Sequence, residues 1–148
     1  MKENMSLLFR ESVRIIYPSI GLSGKKDKEF LNAPYFGLGV VEFQKGTVWV
    51  RTIGSDEEVD IDLTIYKGVP SQHDLSTSII CVGGFIEVEN RGIVIAAGAY
   101  KEAELEWVNG LTAVLVALNA AETSTRAVKT VTFFINHFRK RNWSIFSR

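Results

Sequence analysis

From residue 59 to 66 the chain alternates without a break. Val59, Ile61, Leu63 and Ile65 are apolar, while Asp60, Asp62, Thr64 and Tyr66 carry polar groups. Successive side chains of a strand point to opposite faces, so a period of two sets one row on a core and one in water. A helix would scatter those four aliphatic residues around its circumference. The segment reads as a strand, and its surroundings extend the pattern. Residues 36–43 and 47–53 flank Gln44-Lys45-Gly46, a short glycine-containing turn of the kind that closes a β-hairpin. Residues 77–82 and, after Gly83-Gly84, residues 85–89 precede Asn90-Arg91-Gly92 and the apolar run 93–97, which predicts a second hairpin. The middle of the chain, residues ~36–97, is expected to be an antiparallel meander of about five or six strands.

The flanks are less uniform. Residues 6–16 place Leu7, Leu8, Val13 and Ile16 near one side of a short helix, yet their β-branched run equally suits a strand ending before Tyr17-Pro18. Both readings stand. Residues 19–35, with Gly21, Gly24, Pro34 and Lys25-Lys26-Asp27-Lys28, read as a loop. In 101–122 two patterns overlap. The stretch 101–108 alternates like a strand, and Asn109-Gly110 is a hairpin signal. Trp107, Leu111, Val114, Leu115 and Leu118 nevertheless recur at helical spacing, and the Ala, Leu and Glu content favours a helix. The expectation is a helix over 101–122 that buries Trp107, Leu111, Leu115 and Leu118, with the hairpin as its alternative. A second helix is expected over 126–139. Thr123, Ser124 or Thr125 would cap it, Val128, Val131, Phe134 (or Ile135) and Phe138 would form its stripe, and Arg139, Lys140 and Arg141 would end it. The expected fold class is α+β: the meander followed by two C-terminal helices, the last packed on the sheet.

A chain of 148 residues matches one domain, 1–148, and buries about 70% of its unfolded surface without needing a disulfide or a structural metal. Cys81 is the only cysteine, so no intramolecular disulfide forms and a reducing compartment is the natural reading. The first residues are mixed in charge and lack the apolar core of a secretory signal. The longest apolar run, 108–121, is interrupted by Asn109, Gly110 and Asn119 and falls short of the about 20 residues that span a bilayer. A cytoplasmic location is expected.

Net charge is zero, but its distribution is uneven. Residues 1–55 carry a net +3, residues 56–122 a net −9 from twelve acids against three bases, and residues 123–148 a net +6. Such asymmetry bears on partners and association rates rather than on fold. Its densest point is Asp56, Glu57, Glu58, Asp60 and Asp62. On a strand Asp60 and Asp62 share the solvent face and Glu58 extends the row. Carboxylates so crowded repel one another and suit a basic partner, or else keep an edge soluble.

Residues that carry chemistry do not converge. His73-Asp74 sits in a polar loop, where adjacent side chains rarely orient one another as base and orienter. Cys81 lies within the apolar run 79–82, which predicts a buried, inert thiol, and His137 lies in the last predicted helix. Gly21-Leu-Ser-Gly-Lys25-Lys26 lacks the spacing and the Ser or Thr of a phosphate loop, and the glycines at 37, 39, 83 and 84 lack the dinucleotide fingerprint. The C-terminal mixture of cations with Trp143, Ile145 and Phe146 reads as a helix end whose aromatics fold back on the sheet. No catalytic residue, metal site or cofactor is assigned. The reading is a non-enzymatic protein-binding module, such as a small inhibitor or immunity-type protein. Asp56, Glu57, Glu58, Asp60 and Asp62 would meet a basic protein, with neither nucleic acid nor membrane as partner and homo-oligomerisation left open. The alternative is a small enzyme or ligand-binding domain whose site is built from dispersed residues.

Overall fold

The computed structural model describes residues 5–15, 19–25, 40–44, 46–52, 59–72, 74–78, 80–97, 100–121 and 124–138. Among them are ten strands and no helix: β1 (Ser6–Ile15), β2 (Ser19–Gly24), β3 (Val41–Gln44), β4 (Thr47–Arg51), β5 (Val59–Lys67), β6 (Ile80–Val88), β7 (Gly92–Ala97), β8 (Tyr100–Glu106), β9 (Gly110–Ala121) and β10 (Ser124–His137). They form two five-stranded sheets. Sheet A has the order β1-β5-β10-β9-β6, and sheet B the order β3-β4-β2-β7-β8. Every pairing is antiparallel except that of β5 with β10.

The sheets face each other across one apolar core. Alternate residues enter it from both sides: Ile61, Leu63 and Ile65 of β5 and Val131, Phe133 and Ile135 of β10 from sheet A, and Ile20, Leu22, Val48, Val50, Ile93 and Ile95 from sheet B, each fully buried. β-branched side chains dominate, as suits a pleated surface packed on one face. This is a β-sandwich.

The α+β expectation is overturned. The segment 126–139 lies largely within β10 and 101–122 holds β8 and β9. Central strands covered on both faces read as continuous apolar runs, and such runs fit a helical stripe as readily as a strand. In β9, Val114, Val116 and Leu118 point inward while Leu111 and Leu115 point outward, so the predicted buried stripe is split between two faces. Leu111 is 38% exposed, whereas Leu118 is 2% exposed. The hairpin alternative fails too. Residues 107–109 carry the chain from sheet B to sheet A, so β8 and β9 never pair.

The meander is likewise corrected. Asn90-Arg91-Gly92 does make a turn, with Asn90 and Arg91 in the left-handed region at φ 60° and 55°. It joins β6 of sheet A to β7 of sheet B rather than closing a hairpin. The two crossings between sheets lie side by side: the Arg91 backbone N–H donates to Asn109 Oδ1 at 2.6 Å, and that of Trp107 to the Arg91 carbonyl at 3.2 Å. The loop expected over 19–35 contains β2, which is central in sheet B and buried along its whole length. Residues 6–16 take the strand option as β1. The β3–β4 hairpin forms as expected.

One connection matters for the surface. β5 and β6 run in the same direction with β10 and β9 between them, so the chain after Lys67 must travel back along the sheet. It does so over the outer face of sheet A as a strap, of which residues 68–72 and 74–78 are described. Asn136 Nδ2 donates to the Gly68 carbonyl at 2.8 Å, and the Gly68 N–H donates to the Ile135 carbonyl at 3.3 Å.

Candidate binding surface

The outer face of sheet A carries two chemically distinct regions. On β1 and β5 it is ionic. The register sets Arg14 beside Asp60, Ser12 beside Asp62 and Arg10 beside Thr64. Asp60 and Asp62 are both exposed. Arg14 grips Asp60 with Nε on Oδ1 at 3.0 Å and Nη2 on Oδ2 at 3.4 Å, a two-pronged contact in open solvent. This part of the acidic row is therefore half compensated by its neighbour strand. Asp56, Glu57 and Glu58 lie outside the described residues.

Other acids stand elsewhere. Glu102, Glu104 and Glu106 line β8, the edge of sheet B, and are exposed. Glu104 accepts from Lys101 Nζ at 3.0 Å and from Lys25 Nζ at 3.1 Å. These two ammonium groups, Lys101 foremost, hold its carboxyl below the usual glutamate value. The acidity of the middle segment is thus spread over both sheets, an arrangement that sequence proximity did not reveal.

Toward β6 the outer face becomes apolar. Leu7, Tyr66, Phe134, Leu115 and Gly83 form one row across all five strands, and Asn136, Ala113 and Phe85 lie in the next. The rings of Tyr66 and Phe134 stack at 5.6 Å. Between the start of the strap and β6 runs a groove of about 320 Å³, floored by Ala113, Leu115 and Phe134 and walled by Val69, Pro70 and Phe85. Asn136, its polar side chain, is already committed to the Gly68 carbonyl. Phe85 is 42% exposed and leans edge-on against Phe138 at 5.1 Å. Leu111 and Val69 are exposed at the same end. A polar pocket of about 150 Å³ lies under the other half of the strap, between Asp74, Thr77 and Ser78 and the outward side chains Asn119 and Thr132. Asp74 is occupied in its own turn, accepting from Ser71 N–H and Oγ at 2.9 Å each.

The expectation of a buried Cys81 is overturned. It is exposed, because Val82, Gly84, Ile86 and Val88 face inward and leave Cys81, Gly83 and Phe85 on the outer row. The parity was written in the strand: Ile86 and Val88 are buried, so odd-numbered residues of β6 face out. His137 lies at the end of β10, far along the sheet from Cys81, with Nδ1 buried and unpartnered beside Gly110. His73 lies outside the described residues. Among the described residues no three His, Cys, Asp or Glu side chains gather as a metal site. No described helix is long and apolar enough to cross a membrane.

These features define a β-sandwich with one ionic and one apolar region on a single outer face. No family model matches the chain, and no curated protein matches it. In fold it is similar to ComJ from Bacillus subtilis, described as the inhibitor of the DNA degrading activity of NucA. The TM-score is 0.66 at 11% identity, covering 90% of this chain and 98% of that one. It is also similar to a protein described as crocagin biosynthetic gene J, with TM-score 0.54 at 8% identity, covering 88% and 97%. At such identities the likeness is one of fold.

Proposed function

We propose that this chain is a protein-binding module of the inhibitor type, one that covers a basic nucleic-acid-binding surface of a nuclease. The likeness to ComJ along nearly the full length of both chains carries the reading. Charge supports it from an independent direction. A nuclease must attract a polyanion, so its cleft is basic, and a protein that occludes the cleft is favoured by carboxylates. Residues 56–122 supply them, with a net −9. The contact row is Asp60 and Asp62 together with Asp56, Glu57 and Glu58. Arg14 orients the Asp60 carboxylate without burying it.

The test begins with proteins captured from the native host on the immobilised chain at low salt. Nuclease activity recovered in that fraction should fall stoichiometrically when free chain is added back. A nuclease that retains full activity at saturating chain, or a captured fraction with none, rejects the reading. The groove of about 320 Å³ supports a second reading, a site for a small apolar ligand, since it falls at the lower end of ligand-pocket sizes. Titration with apolar probes that changes Phe85 and Phe134 resonances, without any protein partner, favours that alternative.

A further inference from the structure

We propose that the apolar groove on the outer face of sheet A is the anchor pocket of the inhibitor interface. It takes one apolar aromatic side chain that flanks the basic surface of the same partner. The inference rests on the inhibitor reading and adds to it a second, uncharged contact. Three observations lead there. First, exposed apolar side chains are gathered on one face. Among the described residues the large ones are Leu7, Val69, Phe85, Val108 and Leu111. Val69 and Phe85 wall the groove, Leu111 continues the outward row of β9 from Ala113, and Val108 lies in the crossing that leads into β9. The outer face of sheet B contributes none. A contiguous patch of this kind marks a contact surface, whereas single exposed apolar residues do not.

Second, the groove is shaped for a ring and open to water. Its floor holds Phe134, stacked on Tyr66 at 5.6 Å, with Leu115 and Ala113 alongside. A Cβ built on Gly83 would meet only Leu115 Cδ1, at 3.7 Å, so the glycine leaves the floor clear. A ring laid on Leu115 comes within reach of Phe134 and Phe85, since aromatic pairs form at roughly 4.5–7 Å. No charged side chain lines the groove, so a basic residue of the partner has no counter-charge there. A free small molecule fits less well. Ligand sites bury most of their ligand, but here Phe85 is 42% and Val69 71% exposed, so the walls themselves stand in water. A ring carried by a protein brings its own cover, as interface anchors do.

Third, the spacing suits one partner. Asp62 pairs with Thr130, and Ala113 with Asn136, six residues further along β10 and so about 20 Å away. β5 and β9 are two strands apart, about 10 Å, which sets Asp62 and Ala113 about 22 Å from each other. One side of a standard interface, about 800 Å², is a patch roughly 32 Å across, wide enough for both. The row and the groove then divide the work by charge. Carboxylates draw a basic partner in and set the association rate, while a desolvated aromatic anchor slows its release.

The experiment compares wild type, Gly83→Val and Val69→Ser against the nuclease captured on the wild-type chain, reading association and dissociation rates separately. Gly83→Val fills the groove from β6 without meeting its own chain closely, so Tm should hold or rise as a strand glycine becomes β-branched. Its association rate at low salt should stay within about twofold of wild type, and its dissociation should quicken at least about tenfold. Val69→Ser lowers one exposed wall, barely touches the fold, and should quicken dissociation about threefold. Variants that dissociate like wild type would overturn the anchor and leave the inhibitor reading standing. A wild-type chain that captures no nuclease rejects that reading and the anchor with it. Two measurements on the chain alone test the other occupants. Apolar probes that saturate the groove below about 0.1 mM would make it a small-ligand site, and a dimer abolished by Gly83→Val would make it a contact between copies. Either result overturns the proposal.

Discussion

The outer faces of the two sheets meet solvent in opposite ways, and two glycines show how. In sheet B, Gly21 lies under the indole of Trp49, and Ser19, Ser23, Trp49, Val94 and Ala96, outward on the three central strands, are buried, with exposed carboxylates only along the β8 edge. In sheet A, Gly83 has only Leu115 near it, and Cys81, Phe85, Leu111, Asp60 and Asp62 are exposed. Both glycines sit in strands and face outward. One makes room for a ring of its own chain, and the other leaves room for something else. The contrast separates a face whose small residues serve packing from a face whose small residues serve access. The same residue type carries both meanings, so only its neighbours tell them apart.

The largest expected effect tests the closed face. Gly21→Ala would set a Cβ 2.6 Å from the Trp49 ring and 2.8 Å from the Val48 carbonyl oxygen. The backbone oxygen cannot move cheaply, so the cost should reach the upper end of overpacking, about 3 kcal/mol, read by denaturant unfolding. A loss under about 0.5 kcal/mol would mean that the indole rests on Gly21 loosely, and the contrast would collapse. Next comes the covered part of the other face. Phe134 is 4% exposed beneath the strap and stacks on Tyr66. Phe134→Ala should cost about 2 kcal/mol, below the range for a fully enclosed Phe, because its ring also borders the groove and the polar pocket.

A smaller effect tests the open face. Native Cys81 should react with a thiol reagent nearly as fast as in the unfolded chain, since it is exposed on β6. Protection by an order of magnitude or more would show that Cys81 is covered and the two faces are alike.

How far the sequence carried these distinctions depends on how many faces of each strand are buried. β5 was legible from its alternation because one face meets the core and the other water. β9 and β10 were not, because Leu115, Ala117 and Phe134 add apolar residues on the outward row. A helical stripe could then be traced through positions belonging to two faces. The β-branched and aromatic run Val128-Lys-Thr-Val-Thr-Phe-Phe-Ile135 was the signal available against a helix. β2 was masked by its composition: Ser-Ile-Gly-Leu-Ser-Gly reads as a loop until Trp49 is seen to need Gly21. The Asn90–Gly92 turn was read correctly in position and wrongly in meaning, since a turn between apolar runs looks the same within one sheet or between two. The exposure of Asp60 and Asp62 was readable from period alone. The groove was not, because it needs the strap that only the order β5-β10-β9-β6 creates.

The smallest effect on folding belongs to the ionic corner of the open face, and there stability and association should part company. Arg14 and Asp60 are 59% and 53% exposed, so water screens their attraction and ordering two side chains offsets much of it. Asp60→Asn with Asp62→Asn should therefore shift unfolding by no more than about 0.5 kcal/mol. Against a basic partner the same change removes two of the row's five carboxylates and leaves Arg10 and Arg14 beside it, so much of the local negative charge is lost. Association should then slow several-fold at low salt, and the difference should shrink as salt shortens the screening length toward about 3 Å at 1 M. Dissociation should change much less, because rim charges act mainly on encounter. An equal association rate for the double variant at low salt would place the partner elsewhere, with the β8 carboxylates Glu102 and Glu106 as the next exposed acids to remove.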